Sequence, residues 1–299
     1  MILNYLREFN GHSSSIYALS IGSNPSEFYS GGSDGQLVHW NLNDPDGNAI
    51  AVTNEAIFCL AYDPINSFLF CGTENGSLFR IELNNKNHTR LLAFHRKPVY
   101  KVLIVEKSLF AISGDGILSE IDIRTFELKS ANKLYSKGLR SLVHHSVNNS
   151  LIIGAQGGII FEFKLASKET NKIIQIESNK TVFSLAINTE TSQLIVGSMD
   201  ALLRVYSIID NLEIVQEINA HWFTINDIVL ANNQKIIVSA SRDKTIRLWD
   251  SNNFELIKEI SSTKFQGNSR SINKLLWIKS TNVLLSASDD RIIKAWTIQ

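Results

Sequence analysis

Four groupings of residues in this chain have side chains suited to chemistry. The adjacent imidazoles of His144 and His145 could ligate a metal, and GGSDG at 31–35 has the glycine content of a phosphate-binding loop. The acidic pairs Asp44 with Asp46 and Asp289 with Asp290 could share general acid and general base work. Each fails on spacing or context. Neighbouring strand residues point to opposite faces, so the two imidazoles diverge, one packed and one exposed. The glycine stretch lacks the Lys-Ser/Thr ending and a following helix, and reads as a hairpin turn. The carboxyl pairs lie in turns, and acid/base work would need one of them desolvated in a cleft. The seven histidines include no HExxH, and no GxSxG elbow presents a serine. No catalytic residue, metal ligand or cofactor is expected.

The fourth grouping is SRDKTIRLWD at 241–250, and it recurs. Related segments begin at Tyr29 (YSGGSDGQLVHWN), Phe70, Phe110, Ile152, Ile195 and Leu284. Aligning their turn residues gives the anchors Asp34, Asn75, Asp115, Gly157, Asp200, Asp243 and Asp290, spaced by 41, 40, 42, 43, 43 and 47 residues. Six residues after each anchor stands a packing side chain: Trp40, Ile81, Ile121, Phe163, Tyr206, Trp249 and Trp296. A period near 40 decides the fold before any single motif does.

Each unit also holds an earlier apolar run, such as IYALSI or VYKVLIV, and a shorter outer piece, such as EIVQEI. The reading is four strands per unit joined by Gly, Asn, Asp and Ser turns, with no long helical pattern. Runs apolar on both faces suit sheets packed between sheets, and seven such sheets arranged radially form an all-β, seven-bladed β-propeller. The blades are placed at 11–53, 54–94, 95–135, 136–177, 178–218, 219–261 and 262–299, the last completed by 1–10. It is one domain: the last unit stops after its third strand, and ILNYLREF near the N-terminus supplies the missing fourth.

On these residues the chain resembles the WD-repeat propellers over essentially its whole length. The full signature stands in the sixth unit at His221, Ser239, Asp243 and Trp249, and in the first at His12, Ser30, Asp34 and Trp40. The seventh matches partly, at Ser286, Asp290 and Trp296. The resemblance implies that such a His, Ser, Asp and Trp form a hydrogen-bonded set tying the second and third strands to the loop before the first. SRDKTIRLWD is then scaffold. Units two, four and five depart from the signature and are expected to rely on apolar packing.

The resemblance also implies where a partner docks: at the residue just inside the first strand of each blade and at the residue before each anchor. Counting seventeen back from the anchors, and fifteen in the third unit, gives Tyr17, Phe58, Tyr100, Arg140, Phe183, Asn226 and Asn273. The shorter count has its own support, since His12 and His221 precede their anchors by 22 residues and His95 by 20. The residues before the anchors add Glu74, Gln156, Met199, Arg242 and Asp289. Aromatic side chains on a concave surface suit a peptide side chain, and a cationic one would be held by cation–π attraction. Arg140, Arg242 and Arg270 offer the alternative of an acidic or phosphorylated motif. The bland reading is that the rings merely fill gaps between blades.

Composition narrows the rest. The chain has 299 residues, 44% hydrophobic and 19% charged, with 29 basic residues against 29 acidic ones, so no net field attracts a polyanion and nucleic acid is not an expected partner. No apolar run of spanning length or signal-type leader is read from the sequence. Cys59 and Cys71 read as small buried hydrophobes in a reducing, cytoplasmic setting. The expected function is a non-enzymatic platform for a protein or peptide, as a monomer or within a hetero-complex. The alternatives are a structural subunit that uses the blade sides, and an enzyme working at the central channel.

Overall fold

The computed structural model describes residues 1–85 and 88–299 of the chain. Its strands form seven four-stranded antiparallel sheets. The first sheet runs β2 (Ile16–Ile21), β3 (Glu27–Gly32), β4 (Gln36–Asn41) and β5 (Asp44–Val52), from the axis outward, and the others repeat this order. The innermost strands β2, β6 (Ile57–Asp63), β10 (Val99–Val105), β14 (Leu139–His145), β18 (Val182–Asn188), β22 (Ile225–Ala231) and β26 (Ile272–Ile278) stand side by side around the axis.

Seven clusters of buried apolar side chains hold the ring, one between each pair of neighbouring sheets. Each second strand is buried on both faces for this reason. β27 (Val283–Ser288), for instance, is buried along its entire length, because both of its faces meet another blade. The outer strands have one wet edge and alternate or lose burial, as β5 does.

Closure follows the sequence reading. β1 (Leu3–Asn10) pairs antiparallel with β28 (Ile292–Ile298), so the last sheet runs β1, β28, β27, β26. The ladder extends from Asn10 against Ile292 to Leu3 against Ile298, and Ile2 and Gln299 exchange both backbone hydrogen bonds at 2.7 and 2.9 Å. Phe9 is wholly buried, edge-on to Phe28 at 5.0 Å and to Trp40 at 5.7 Å, so the strand that closes the last blade also packs on the first.

The turn after each second strand has one backbone demand in common. The residue following the anchor has a positive φ in all seven blades: Gly35, Gly76, Gly116 and Gly158, then Ala201, Lys244 and Arg291. Glycine adopts this conformation without penalty. At Gly35 a Cβ would also lie 2.2 Å from the Thr53 carbonyl oxygen.

Polar sets tie these turns to the preceding loops. In blade one Trp40 Nε1 donates to Ser30 Oγ at 2.7 Å, Ser30 lies 2.7 Å from His12 Nε2, and His12 Nδ1 lies 3.0 Å from Asp34. Blade six repeats this with Trp249, Ser239, His221 and Asp243. A neutral imidazole protonated on Nδ1 satisfies every member in one direction, from indole to hydroxyl to imidazole to carboxylate. Burial accordingly holds the His12 and His221 pKa values below the ordinary one, against the pull of their aspartates. Blade three joins His95 to Asp115 and to Ser119, which lies on the third strand of the sheet. Burial works to raise the Asp115 carboxyl, but hydrogen bonds from His95 and backbone amides bring it down to about 2. In blade seven Asn268 takes the imidazole's place, donating to Asp290 and accepting from Ser286 at 2.6 Å, while Trp296 donates to the Phe265 carbonyl.

Units two and five depart from the expected reliance on apolar packing. Glu55 accepts from Thr73 and Ser77, and Arg204 bonds Ser198, Asp200 and Glu217 while Ser178 donates to Asp200. The hairpin buries these positions whatever their identity, so polar residues there must find partners. Unit four keeps to apolar packing around Phe163.

Two outcomes follow. Phe9→Ala should cost about 3–5 kcal/mol, read as a lower denaturant midpoint, because its neighbours on both blades lose their contact. His221, with a folded pKa below its unfolded one, makes stability fall as pH drops below about 6.5, where the unfolded chain binds the extra proton. His221→Asn, which copies the arrangement of blade seven, should lose less melting temperature between pH 7 and pH 5 than the parent protein does.

Candidate functional site

All seven innermost strands share one irregularity. The pairing of first with second strand skips one residue near its start, between Ile16 and Ala18, Ile57 and Cys59, Val99 and Lys101, Leu139 and Ser141, Val182 and Ser184, Ile225 and Asp227, and Ile272 and Lys274. The skipped residues are Tyr17, Phe58, Tyr100, Arg140, Phe183, Asn226 and Asn273. A bulge re-aims the side chain it carries, and these seven together line one depression of ≈ 350 Å³ at the channel mouth.

The ring divides into two arcs. Tyr17 meets Phe58 edge-on at 5.3 Å, and Phe58 stacks on Tyr100 at 5.9 Å. The Arg140 guanidinium lies 3.6 Å from the Tyr100 ring centre and 5.2 Å from that of Phe183. The cationic guest expected of the aromatic faces is thus already present, and it belongs to the chain. In the other arc, Asn226 donates to the Ile272 carbonyl at 2.8 Å and Asn273 to the Ile16 carbonyl at 3.0 Å, which stitches blade six to seven and seven to one.

The residues before the anchors lie outside this depression. Their amides donate in every blade to the residue two before the bulge, as in Glu74 to Ala56, Gln156 to Gly138, Met199 to Thr181, Arg242 to Thr224 and Asp289 to Ser271. Their side chains differ. The Asp289 carboxylate accepts from Asn273 at 2.7 Å and the Gln156 amide oxygen from the Gly138 amide. Met199 is 50% exposed, and Arg242 is exposed.

Two features escaped the sequence count. One residue deeper than the ring, Lys101, Ser184, Asp227 and Lys274 line a narrower cavity of ≈ 120 Å³ beneath the mouth. Lys274 pairs with Asp227 at 2.7 Å, and Asp227 also accepts from the Leu275 amide. The charge of Lys274, and then burial, bring the Lys101 pKa down to about 8. Counting sixteen residues back from the anchors, or fourteen in the third unit, would have found this ring. The second feature is Trp222 with Phe223, 82% and 59% exposed in the loop leading to Asn226, where the Phe223 carbonyl accepts from Ser241. The repeat carries no signal for them, because loop residues there are free to vary.

Elsewhere the groups weighed and set aside in the sequence lie as follows. His145 is buried and His144 half-buried with Nε2 enclosed, so neither is exposed as expected: sheet packing covers both faces of β14. Among the described residues no group of three or more His, Cys, Asp or Glu side chains is placed to hold a metal. Cys59 and Cys71 are free and buried, and burial pushes the Cys59 thiol up to about 12.

Comparison with known proteins fits this architecture. A β-propeller family model described as Nucleolar protein 10-like, N-terminal domain, matches residues 49–298, and one described as WD domain, G-beta repeat, matches residues 3–41. The chain belongs to this family of WD-repeat propellers. The WD40 β-propeller domain of Doa1 superposes on this propeller with a TM-score of 0.87 at 16% identity, covering 100% of this chain and 97% of that one, a likeness of fold. WD repeat-containing protein 55 of Arabidopsis thaliana is 26% identical over 48% of this propeller and 40% of its own length. Protein tipD of Dictyostelium discoideum is 22% identical over 97% of this propeller and 48% of its own length. The propeller thus spans less than half the length of either relative. WD40 propellers are generally protein-interaction scaffolds and typically non-enzymatic.

Lys101 gives a direct test of the electrostatics. Its folded pKa lies below the unfolded value, so over about pH 8 to 10.5 the unfolded chain binds more protons and this group's contribution to stability rises with pH. Below that window the charged lysine is a cost. Lys101→Met should therefore stabilise the propeller at pH 7, by about 1–3 kcal/mol, and the advantage over the parent should shrink as pH rises from 8 to 10.

Proposed function

We propose that this propeller is a non-enzymatic scaffold that docks a protein or peptide on the face carrying the channel mouth. One observation carries the reading: seven bulges turn seven side chains into a single depression, and four of them are aromatic. Apolar rings held rigid on a concave surface are the usual anchors of a binding patch. Trp222 and Phe223 extend that surface outward, since a large aromatic side chain left in water beside such a depression is a common mark of an interface. Met199 and Arg242, both exposed just before their anchors, are assigned to the same proposed surface.

An enzyme at the channel would need groups free to transfer protons or ligate a metal. At this end Asn226, Asn273 and Asp227 are committed to neighbouring blades, and Lys101 and Ser184 have no further carboxylate or imidazole in the cavity lining to work with. No helix among the described residues is long and apolar enough to cross a membrane. The compartment we propose is intracellular, and the nucleolar description of the matched family model adds the nucleus to the cytoplasm as a place to look.

The test is affinity capture with the parent protein, with Phe58→Ala combined with Phe183→Ala, and with Trp222→Ala. Loss of the same co-purifying proteins from the double variant, with melting behaviour retained, is the expected result, and Trp222→Ala should weaken capture. Unchanged capture by a folded double variant would move docking to the blade sides.

A further inference from the structure

The charges under the mouth do not balance. Arg140, Lys101 and Lys274 line the ≈ 120 Å³ cavity with Asp227 as the facing carboxylate, and Asp227 is taken by Lys274. Arg140 donates no hydrogen bond to any described residue: its Nε is enclosed without a partner, and only the flat face of the guanidinium is used, by Tyr100 and Phe183. Lys101 makes no ion pair within 4 Å among the described residues: it lies against the Lys274 amine and feels Asp227 only from further off. Ser184 is 3% exposed in the same cavity and its Oγ is unbonded. Unsatisfied buried donors are rare, and each costs stability unless a ligand supplies the acceptor.

We infer that this cavity receives the carboxylate of a glutamate or aspartate side chain carried by the docking partner. The inference rests on the scaffold reading above and adds the chemistry of the group that enters. Cation–π contact occupies the face of a guanidinium and leaves its in-plane N–H groups, the ones that pair with carboxylates. Two cations lack a partner, and a carboxylate has two oxygens to offer them. Size keeps nucleotide-sized anions out of this lower level. A cavity of ≈ 120 Å³ holds one small group, whereas pockets for nucleotide-sized ligands begin near 300 Å³. The aromatic wall above suits the methylene stem of the same side chain. Opposing charge at this level comes from Asp227, and above it the Asp289 carboxylate is held by Asn273. The low pKa of Lys101 agrees with a site that is short of negative charge.

The test uses three capped tripeptides, acetyl-Ala-Glu-Ala-amide and its Gln and phosphoserine counterparts, with inorganic phosphate as a fourth probe. Binding is followed at low salt through the resonances of isotopically methylated lysines. The glutamate peptide is expected to saturate at least about tenfold more tightly than the glutamine one, and to raise the pH at which Lys101 loses its proton. Arg140→Gln and Lys101→Met should each weaken it about tenfold or more, and Lys101→Met, expected to be the more stable protein, guards against simple misfolding. Equal binding of the Glu and Gln peptides, or unchanged binding in both variants, would overturn the inference. So would saturation by inorganic phosphate alone, or clear preference for the phosphoserine peptide. If the glutamate peptide fails while capture still depends on Phe58 and Phe183, the docking face stands and only its anion chemistry falls. If capture is also indifferent to those two residues, both fall.

Discussion

Seven strands converge on one axis, and no backbone ladder links any of them to the next. Their side chains must fill the narrow space between them or bond across it, and the rest of the central architecture answers to that crowding. Each innermost strand takes in one extra residue near its start, which throws one side chain forward into the mouth. The following position then faces the channel wall, where several short polar groups bond the next blade: Ser141 donates to the Val182 carbonyl and Asp227 accepts from the Leu275 amide. Cohesion between sheets otherwise comes from the apolar clusters further out. The centre thus mixes aromatic and polar side chains, and is a place where a side chain can be spared from packing.

Arg140 shows what that freedom yields. A guanidinium between two aromatic rings keeps its charge close to apolar surface, where water screens it poorly. Without a carboxylate beside it, burial depresses its basicity. Lys101, one position deeper in the adjacent blade, is depressed too, by the charge of Lys274 and then by burial. These groups oppose folding locally, and the seven apolar interfaces supply the stability that tolerates them. Such an exchange of stability for unsatisfied charge is typical of binding and catalytic sites.

The architecture was largely legible because a period of about 43 residues overrides local ambiguity: strands too short to assign singly become clear when seven copies are aligned. The mouth ring was legible for the same reason, since equal offsets from a turn reach equivalent places. What the offsets could not convey is which atoms each side chain meets. Asn226 and Asn273 stand in the ring by position, yet their amides serve the neighbouring blades. Arg140 reads as an isolated cation, and only folding lays it on Tyr100, forty residues away. The substitutes for the histidine set were hidden too, because Glu55 and Arg204 reach the buried turn from positions other than the one His221 uses. Trp222 and Phe223 follow that histidine directly, in a loop where the repeat imposes no type.

The pairing of β1 with β28 also brings Ile2 beside Gln299. Ile2 and Gln299 are hydrogen-bonded to one another, so the ring has a seam between the first and last described strands. A short linker across that seam would leave every ladder in place, and the covalent break could be moved to an exposed loop between any two wedges. The order in which the wedges are synthesised is therefore separable from the shape they build, and circular permutants starting at different blades should converge on the same ring.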